Sequence, residues 1–156
     1  MSTTADLGPP HNVSRAVVAD SPDAAASRLQ IEVDQRGCAV IVHARGELDA
    51  YTMPIWRRVT REASAQATPP GPVIVDISRL DFISCGALVA LALDADVCRA
   101  RRINLIVVSR ASTVHRIVAA TDLDARLPIH SSTESALLAT AAENCPAAAC
   151  GRGGTR

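Results

Sequence analysis

The chain has 156 residues, of which 48% are hydrophobic and 21% charged, and its 16 basic residues balance its 16 acidic ones. This length predicts one globular domain with tails, and the composition excludes a disordered chain and a strongly basic nucleic-acid binder. Aromatic residues make up only 2% of the chain, so platforms for base stacking are absent. No apolar run approaches the roughly 18 residues of a membrane span, and the N-terminus lacks signal-peptide features. A cytoplasmic protein without membrane contact is therefore expected.

The first half of the chain predicts an arm, a hairpin and a helix. Residues 1–27 are rich in Ser, Thr, Pro, Ala and Asp and predict a flexible N-terminal arm. Apolar residues alternate with polar ones from residue 29 to 33, residues 34–37 have turn chemistry, and residues 38–44 form an apolar run typical of an interior strand. After Asp49, apolar residues recur at helical spacing, with Pro54 confined to the first turn.

The second half predicts strands and helices in alternation. A proline-rich connector leads to a buried strand at residues 73–77, an apolar helix at 85–100 and a second buried strand at 103–108. Strand, helix, strand in this order indicates a parallel crossover.

A short helix at residues 111–120, a brief strand at 127–130 and a last helix at 133–142 follow, the last capped by Ser131 or Ser132. Residues 143–156 predict a flexible C-terminal tail. The fold class is α/β, a single domain with a mixed β-sheet flanked by α-helices.

Residues 73–91, V-I-V-D-I-S-R-L-D-F-I-S-C-G-A-L-V-A-L, run from a buried strand through a short polar turn into an apolar helix. This junction resembles the phosphorylation loop of STAS domains, the anti-sigma factor antagonists, whose pattern is Phe-Ile/Met-Asp-Ser-Ser/Thr-Gly-Leu. The segment Gly-Glu-Leu-Asp at residues 46–49 and the run from residue 105 to 129 resemble two further family segments. The resemblance covers about residues 29–142 and implies a STAS-like domain at residues 28–142.

The resemblance implies a binding protein that is not an enzyme and needs no cofactor. In the family's partner switch, the unmodified domain binds an anti-sigma factor of kinase-like ATPase fold and so frees a sigma factor. Phosphorylation reverses the binding, because a phosphate adds about two negative charges to a loop that lies against the partner. The expected docking surface is the loop Ser84, Cys85, Gly86 and Ala87 with the helix that follows.

The loop departs from the family pattern at the position that carries the phosphate. Aligned without gaps, the family's Asp falls on Ser84, its first Ser on Cys85 and its phospho-acceptor on Gly86; an alignment with one deletion places Cys85 at the acceptor position. Both alignments lose the Ser or Thr hydroxyl. We therefore expect a degenerate phosphorylation site and no regulation by phosphorylation at the usual serine.

Two loop residues have alternative interpretations. Ser84 is either a substitute phospho-acceptor or the N-cap of the following helix. Cys85 lies in the first helical turn, where the helix dipole favours a thiolate, so it is either a redox-sensitive thiol or a small residue that fills a small space. The redox interpretation leads to an alternative function, a ligand-sensing or redox-sensing module of the STAS fold that acts through Cys85.

The helix from Cys85 carries two apolar stripes. Leu88, Leu91 and Ala92 belong to one, which continues through Ala95 and Cys98; Val89, Leu93 and Val97 form the other. One stripe should face the sheet. The other either docks a partner or a second copy of the chain, or is covered by a neighbouring helix. Asp49 either lines the docking surface or caps the helix after it.

The cysteines and histidines do not form a recognisable metal motif. Cys38 and Cys98 are expected to be buried as small hydrophobic residues, and Cys145 and Cys150 lie in the predicted tail. The four histidines are scattered without an i, i+4 pair, so no metal site is predicted. An enzyme of doubly wound type would need an acid, a base and a nucleophile together, and the sequence shows no such set.

Overall fold

The computed structural model describes residues 28–144. The predicted N-terminal arm at residues 1–27 lies outside the described residues, and so do Cys145 and Cys150. Residues 143 and 144, predicted as tail, belong instead to the last helix.

In the described part of the chain, a five-stranded mixed sheet forms the centre of the domain. The strands are β1 (Leu29–Arg36), β2 (Ala39–Leu48), β3 (Val73–Ile83), β4 (Leu105–Val108) and β5 (Ile129–His130), and they lie side by side in chain order. β1 pairs with β2 in antiparallel fashion, as the predicted hairpin requires, and the remaining neighbours are parallel. The predicted mixed sheet is confirmed.

Within residues 28–144, four helices cover the two faces of this sheet. They are α1 (Met53–Gln66), α2 (Cys85–Ala100), α3 (Ser112–Ala120) and α4 (Thr133–Asn144). The first three pack on one face around the main core, in which Trp56, Leu88 and Leu91 are fully buried. α4 packs on the opposite face, where Ala136 contacts Ile74 and its neighbours in a smaller cluster. The α/β class with helices on both faces is thus confirmed.

The strand before α2 is longer than predicted. We expected it to end at Ile77 and to break into a polar turn, but β3 continues to Ile83. The polar residues after Ile77 pair with the second half of β2, and two register shifts accommodate them. Gly46 lies at one shift with φ +106°, and a Cβ there would sit 2.1 Å from the carbonyl oxygen of Arg28. The apolar pattern therefore predicted the end of this strand too early, because backbone pairing with β2 extends it.

One buried-cysteine prediction is right and the other is wrong. Cys98 is buried on α2, with its Sγ 3.5 Å from Ser64 Oγ. Cys38 is exposed, because it follows Gly37 in the tight turn between β1 and β2. The turn puts its side chain in solvent.

A polar pair links the two longest strands on the face opposite α1. His43 Nδ1 donates a hydrogen bond to Asp76 Oδ2 at 3.2 Å, and the backbone N–H of Ser78 donates to the other carboxylate oxygen. The His43 hydrogen bond lowers the pKa of Asp76 to about 2, although partial burial of the carboxylate acts in the opposite direction. Within residues 28–144, no helix combines the length and the hydropathy needed to cross a bilayer.

Candidate partner-binding site

Ser84 is the single residue between β3 and α2. Its backbone is extended, its N–H donates to the carbonyl oxygen of Leu48 at 3.0 Å, and its Oγ accepts from the N–H of Ala87 at 3.1 Å. The hydroxyl therefore satisfies one of the free N–H groups in the first turn of α2. The N-cap interpretation of Ser84 is confirmed by this hydrogen bond.

The next three loop residues differ in exposure. Cys85 and Gly86 are exposed, whereas the methyl group of Ala87 lies in the core. A partner can therefore touch Ser84, Cys85 and Gly86 of the predicted docking loop. The prediction that Ala87 also belongs to the docking surface is wrong, because its side chain is buried. A Cβ at Gly86 would meet nothing nearer than Ser84 Oγ, at 4.0 Å. Gly86, which the ungapped alignment pairs with the family's phospho-acceptor, thus has open space around it.

The second apolar stripe of α2 faces solvent. Val89 is 43% exposed, Leu93 50% and Val97 62%, while Leu88 and Leu91 of the other stripe are fully buried. Within the described part of the chain, no neighbouring helix covers these three side chains. Phe82, near the end of β3, is also exposed, at 53%. An exposed apolar surface therefore begins beside the loop and continues along α2.

Asp49 organises the turn that leads into α1. Its Oδ1 accepts from the backbone N–H groups of Tyr51 at 2.9 Å and Thr52 at 3.2 Å. Desolvation acts to raise the pKa of Asp49, but the hydrogen bonds from Thr52 and Tyr51, with the nearby charge of Arg28, outweigh it and hold the pKa below its usual range. Asp49 thus orders this turn but does not cap α1, whose N-cap is Thr52, so the capping prediction is wrong. The docking role stays a prediction.

An ion-pair cluster that the sequence did not predict surrounds Asp49. Arg28 Nε lies 2.8 Å from Glu47 Oε2, and one terminal nitrogen lies 3.1 Å from Asp49 Oδ2. The guanidinium lies 5.9 Å from the ring centre of Tyr51, which is 77% exposed. The hydrogen bond to Glu47, and next the charge of Asp49, raise the pKa of Arg28. No local signal marks the cluster, since Arg28 and its acidic partners are 19 and 21 residues apart.

None of the other described cysteines can form a disulfide with Cys85. Cys98 is 13 positions further along the same helix, which places it about 20 Å away, whereas disulfide-bonded Cα atoms are at most about 7 Å apart. Cys38 lies at the opposite end of β2 from the loop. Among residues 28–144, no three His, Cys, Asp or Glu side chains lie close enough together to hold a metal ion.

Comparison with known proteins identifies the family. The family model of the STAS domain matches residues 30–136. Rv2638 of Mycobacterium tuberculosis, named as an anti-anti-sigma factor, is 41% identical over 135 residues, which cover 86% of this chain and 90% of that protein. The anti-sigma-F factor antagonist RsfA of the same species is 40% identical over 115 residues, or 74% of this chain and 90% of the relative.

Solved structures share the fold at lower identity. An anti-sigma factor antagonist from Mycobacterium paratuberculosis superposes with a TM-score of 0.62 at 23% identity, covering 72% of this chain and 94% of that one. SpoIIAA in its unphosphorylated form gives a TM-score of 0.59 at 17% identity, covering 72% and 96%. Sheet order, family model and curated relatives agree, and the chain belongs to the STAS domain family.

Proposed function

We propose that this protein is an anti-sigma factor antagonist that binds an anti-sigma factor of kinase-like ATPase fold and so frees a sigma factor. One observation carries the proposal: an uncharged, exposed surface begins at Cys85 and Gly86 and continues through Val89 and Leu93. This surface stands where the family resemblance expects a partner to dock, in a chain about 40% identical to relatives named as antagonists. Exposed apolar patches of this kind are typical of protein contact sites.

The proposed partner switch is not operated by phosphate at the usual position. Gly86 has no side chain to accept a phosphoryl group, and the hydroxyl of Ser84 is already engaged by the N–H of Ala87. The domain then binds its anti-sigma factor constitutively or under another control. Asp49 and Phe82 lie on the two strand ends that flank the loop, and we assign them to the rim of the docking surface.

We infer a binding role without catalysis. The exposed side chains of the loop offer one hydroxyl and one thiol but no neighbouring base, which general acid–base or nucleophilic catalysis would require. Redox sensing through Cys85 receives no support from the positions of Cys38 and Cys98. Because sigma factors act on the transcription machinery, the proposal places the protein in the cytoplasm.

A binding screen of the full chain against the kinase-like anti-sigma factors of the same genome tests the proposal. We expect one of them to bind, and Leu93→Asp to abolish the complex, because it removes an apolar contact and adds a charge that must be desolvated when the partner docks. Leu138→Asp is the matched control, since Leu138 is 72% exposed on α4, on the other side of the sheet. ATP and reductant are varied to separate nucleotide-dependent and thiol-dependent binding. Equal binding by both variants would argue against a docking surface on α2.

A further inference from the structure

A groove of about 290 Å³ runs between α1 and α2 beside the exposed stripe. Arg57 and Arg61 of α1 form one wall, and Leu93 and Val97 of α2 form the other. The polar groups at its base are mostly engaged: Thr60 Oγ1 donates to the carbonyl oxygen of Trp56 at 3.0 Å, and Ser64 Oγ donates to that of Thr60 at 2.7 Å. The groove therefore presents aliphatic side chains and guanidinium groups.

The guanidinium groups of this groove make no close polar contact with the side chains that the structure describes. Among the side chains described, those of residues 28–142, Arg57, Arg61 and Arg101 form no hydrogen bond or ion pair. Asp94 is the one carboxylate among the described lining residues, and its Oδ2 is buried without a hydrogen-bond partner. Burial raises the pKa of Asp94, and the charges of Arg57 and Arg61 oppose that rise. A single half-buried carboxylate does not neutralise three arginines.

A second basic border lies on the other side of the stripe. Asp96 accepts hydrogen bonds from Arg99 at 2.9 Å and from Arg126 Nε at 3.0 Å. The two borders together carry five arginines and two aspartates, so their net charge is three positive charges beside the aliphatic stripe. The surface is therefore complementary to a segment that carries aliphatic residues in its middle and carboxylates on both sides.

We propose that the α1–α2 groove and the stripe Val89, Leu93 and Val97 bind an amphipathic helix with acidic flanks on the partner protein. The inference rests on the proposed function, because it names the chemistry of the partner segment that covers α2. A second copy of this chain fits less well, since a two-fold contact brings the same basic borders together. A membrane surface fits less well too, because the stripe lacks the aromatic residues that usually anchor such helices.

Fluorescence anisotropy with a designed helical peptide tests this proposal on the full chain. The probe is a labelled 14-residue peptide with Leu at helical spacing (i, i+3/i+4) and Glu on both flanks; the matched peptide has Lys in place of each Glu. We expect the acidic peptide to bind and the basic one not to bind. The double variant Arg57→Glu with Arg61→Glu should weaken binding of the acidic peptide by about tenfold and strengthen binding of the basic peptide. Arg116→Glu, at an exposed arginine of α3, should change neither.

Several results would overturn the proposal. Equal binding of the two peptides, or no binding of the acidic one, would contradict the proposed charge complementarity. A dimer of the full chain that Leu93→Asp dissociates would assign the surface to a second copy, and binding to phosphatidylglycerol vesicles that the double variant abolishes would assign it to a membrane. Gly86→Asp separates the two proposals: it should weaken anti-sigma factor binding by about a hundredfold and leave the peptide bound, because the groove lies beyond the loop. Failure of the peptide with an intact anti-sigma complex contradicts the groove alone.

Discussion

Replacing Gly86 should move folding stability and partner binding in opposite directions. A Cβ at this position meets no atom closer than 4.0 Å, so a larger residue fits without strain. Asp is about 0.3 kcal/mol more favourable than Gly in a helix, and a carboxylate in the first turn of a helix adds about 0.3–1 kcal/mol through the helix dipole. Gly86→Asp should therefore raise the free energy of unfolding by about 1 kcal/mol in urea unfolding experiments.

The same substitution should disrupt the proposed complex. A carboxylate that is desolvated against a flat partner surface without a counter-charge costs about 3 kcal/mol, or about a hundredfold in Kd. Isothermal titration calorimetry with the cognate anti-sigma factor measures this loss. Gly86→Ala is the matched control, because it makes the same backbone change without the charge and should bind within about threefold of wild type. A stable Gly86→Asp protein that binds as tightly as wild type would refute the assignment of this loop to the interface.

Gly86→Ser extends the test to regulation. It places a hydroxyl, in open space, at the position that we propose corresponds to the family's acceptor. After incubation with the kinase-like anti-sigma factor and ATP, mass spectrometry should find one phosphate on this variant and none on the loop of the wild-type protein. Phosphate on wild-type Ser84 would show that the cap hydroxyl is a substitute acceptor after all.

Three further expectations concern the loop and the sheet. Ser84→Ala should lower the free energy of unfolding by about 1 kcal/mol through loss of the cap, whereas Ser84→Asp, which can still cap, should lose less; equal losses in urea would argue against capping. Asp76→Asn should lower the free energy of unfolding by about 1 kcal/mol at pH 7, less than the full pKa shift implies because solvent reaches the carboxylate. Because the folded pKa of Asp76, about 2, lies below the unfolded value, this contribution is complete above about pH 5 and is lost toward pH 2. The free energies of unfolding of wild type and Asp76→Asn, measured in urea, should therefore converge near pH 2. Asp81→Asn is the surface-charge control. Cys85→Ser should leave anti-sigma factor binding unchanged with or without peroxide, and a peroxide effect on wild type alone would revive the redox interpretation.

Local sequence patterns predicted most of the helices and strands, including the strand before the loop at residues 84–87 and the helix after it. The boundaries of α2 were correct at both ends, because Ser84 is an N-cap by type and by position and Arg101 follows the last apolar turn. Helical periodicity also separated the two stripes of α2. It could not decide which stripe faces solvent, since that depends on how closely α1 packs beside α2.

Long-range contacts account for what the sequence did not predict. The second half of β3 is polar and looks like a turn, yet it is held by pairing with β2, more than 30 residues earlier in the chain. The Arg28 cluster joins the start of β1 to the end of β2 and has no motif. The exposure of Cys38 follows from the geometry of a tight turn, which apolar composition does not reveal.

The ion pairs of Arg28 have a practical consequence for attaching the protein to a surface. They fix the start of β1 beside Asp49, at the end of the sheet where Leu48 binds the backbone of Ser84. Arg28 itself, the first described residue, therefore lies next to the proposed interface. The last helix, α4, lies across the sheet from α2, so biotin attached to the exposed face of α4 leaves that interface free for incoming partners.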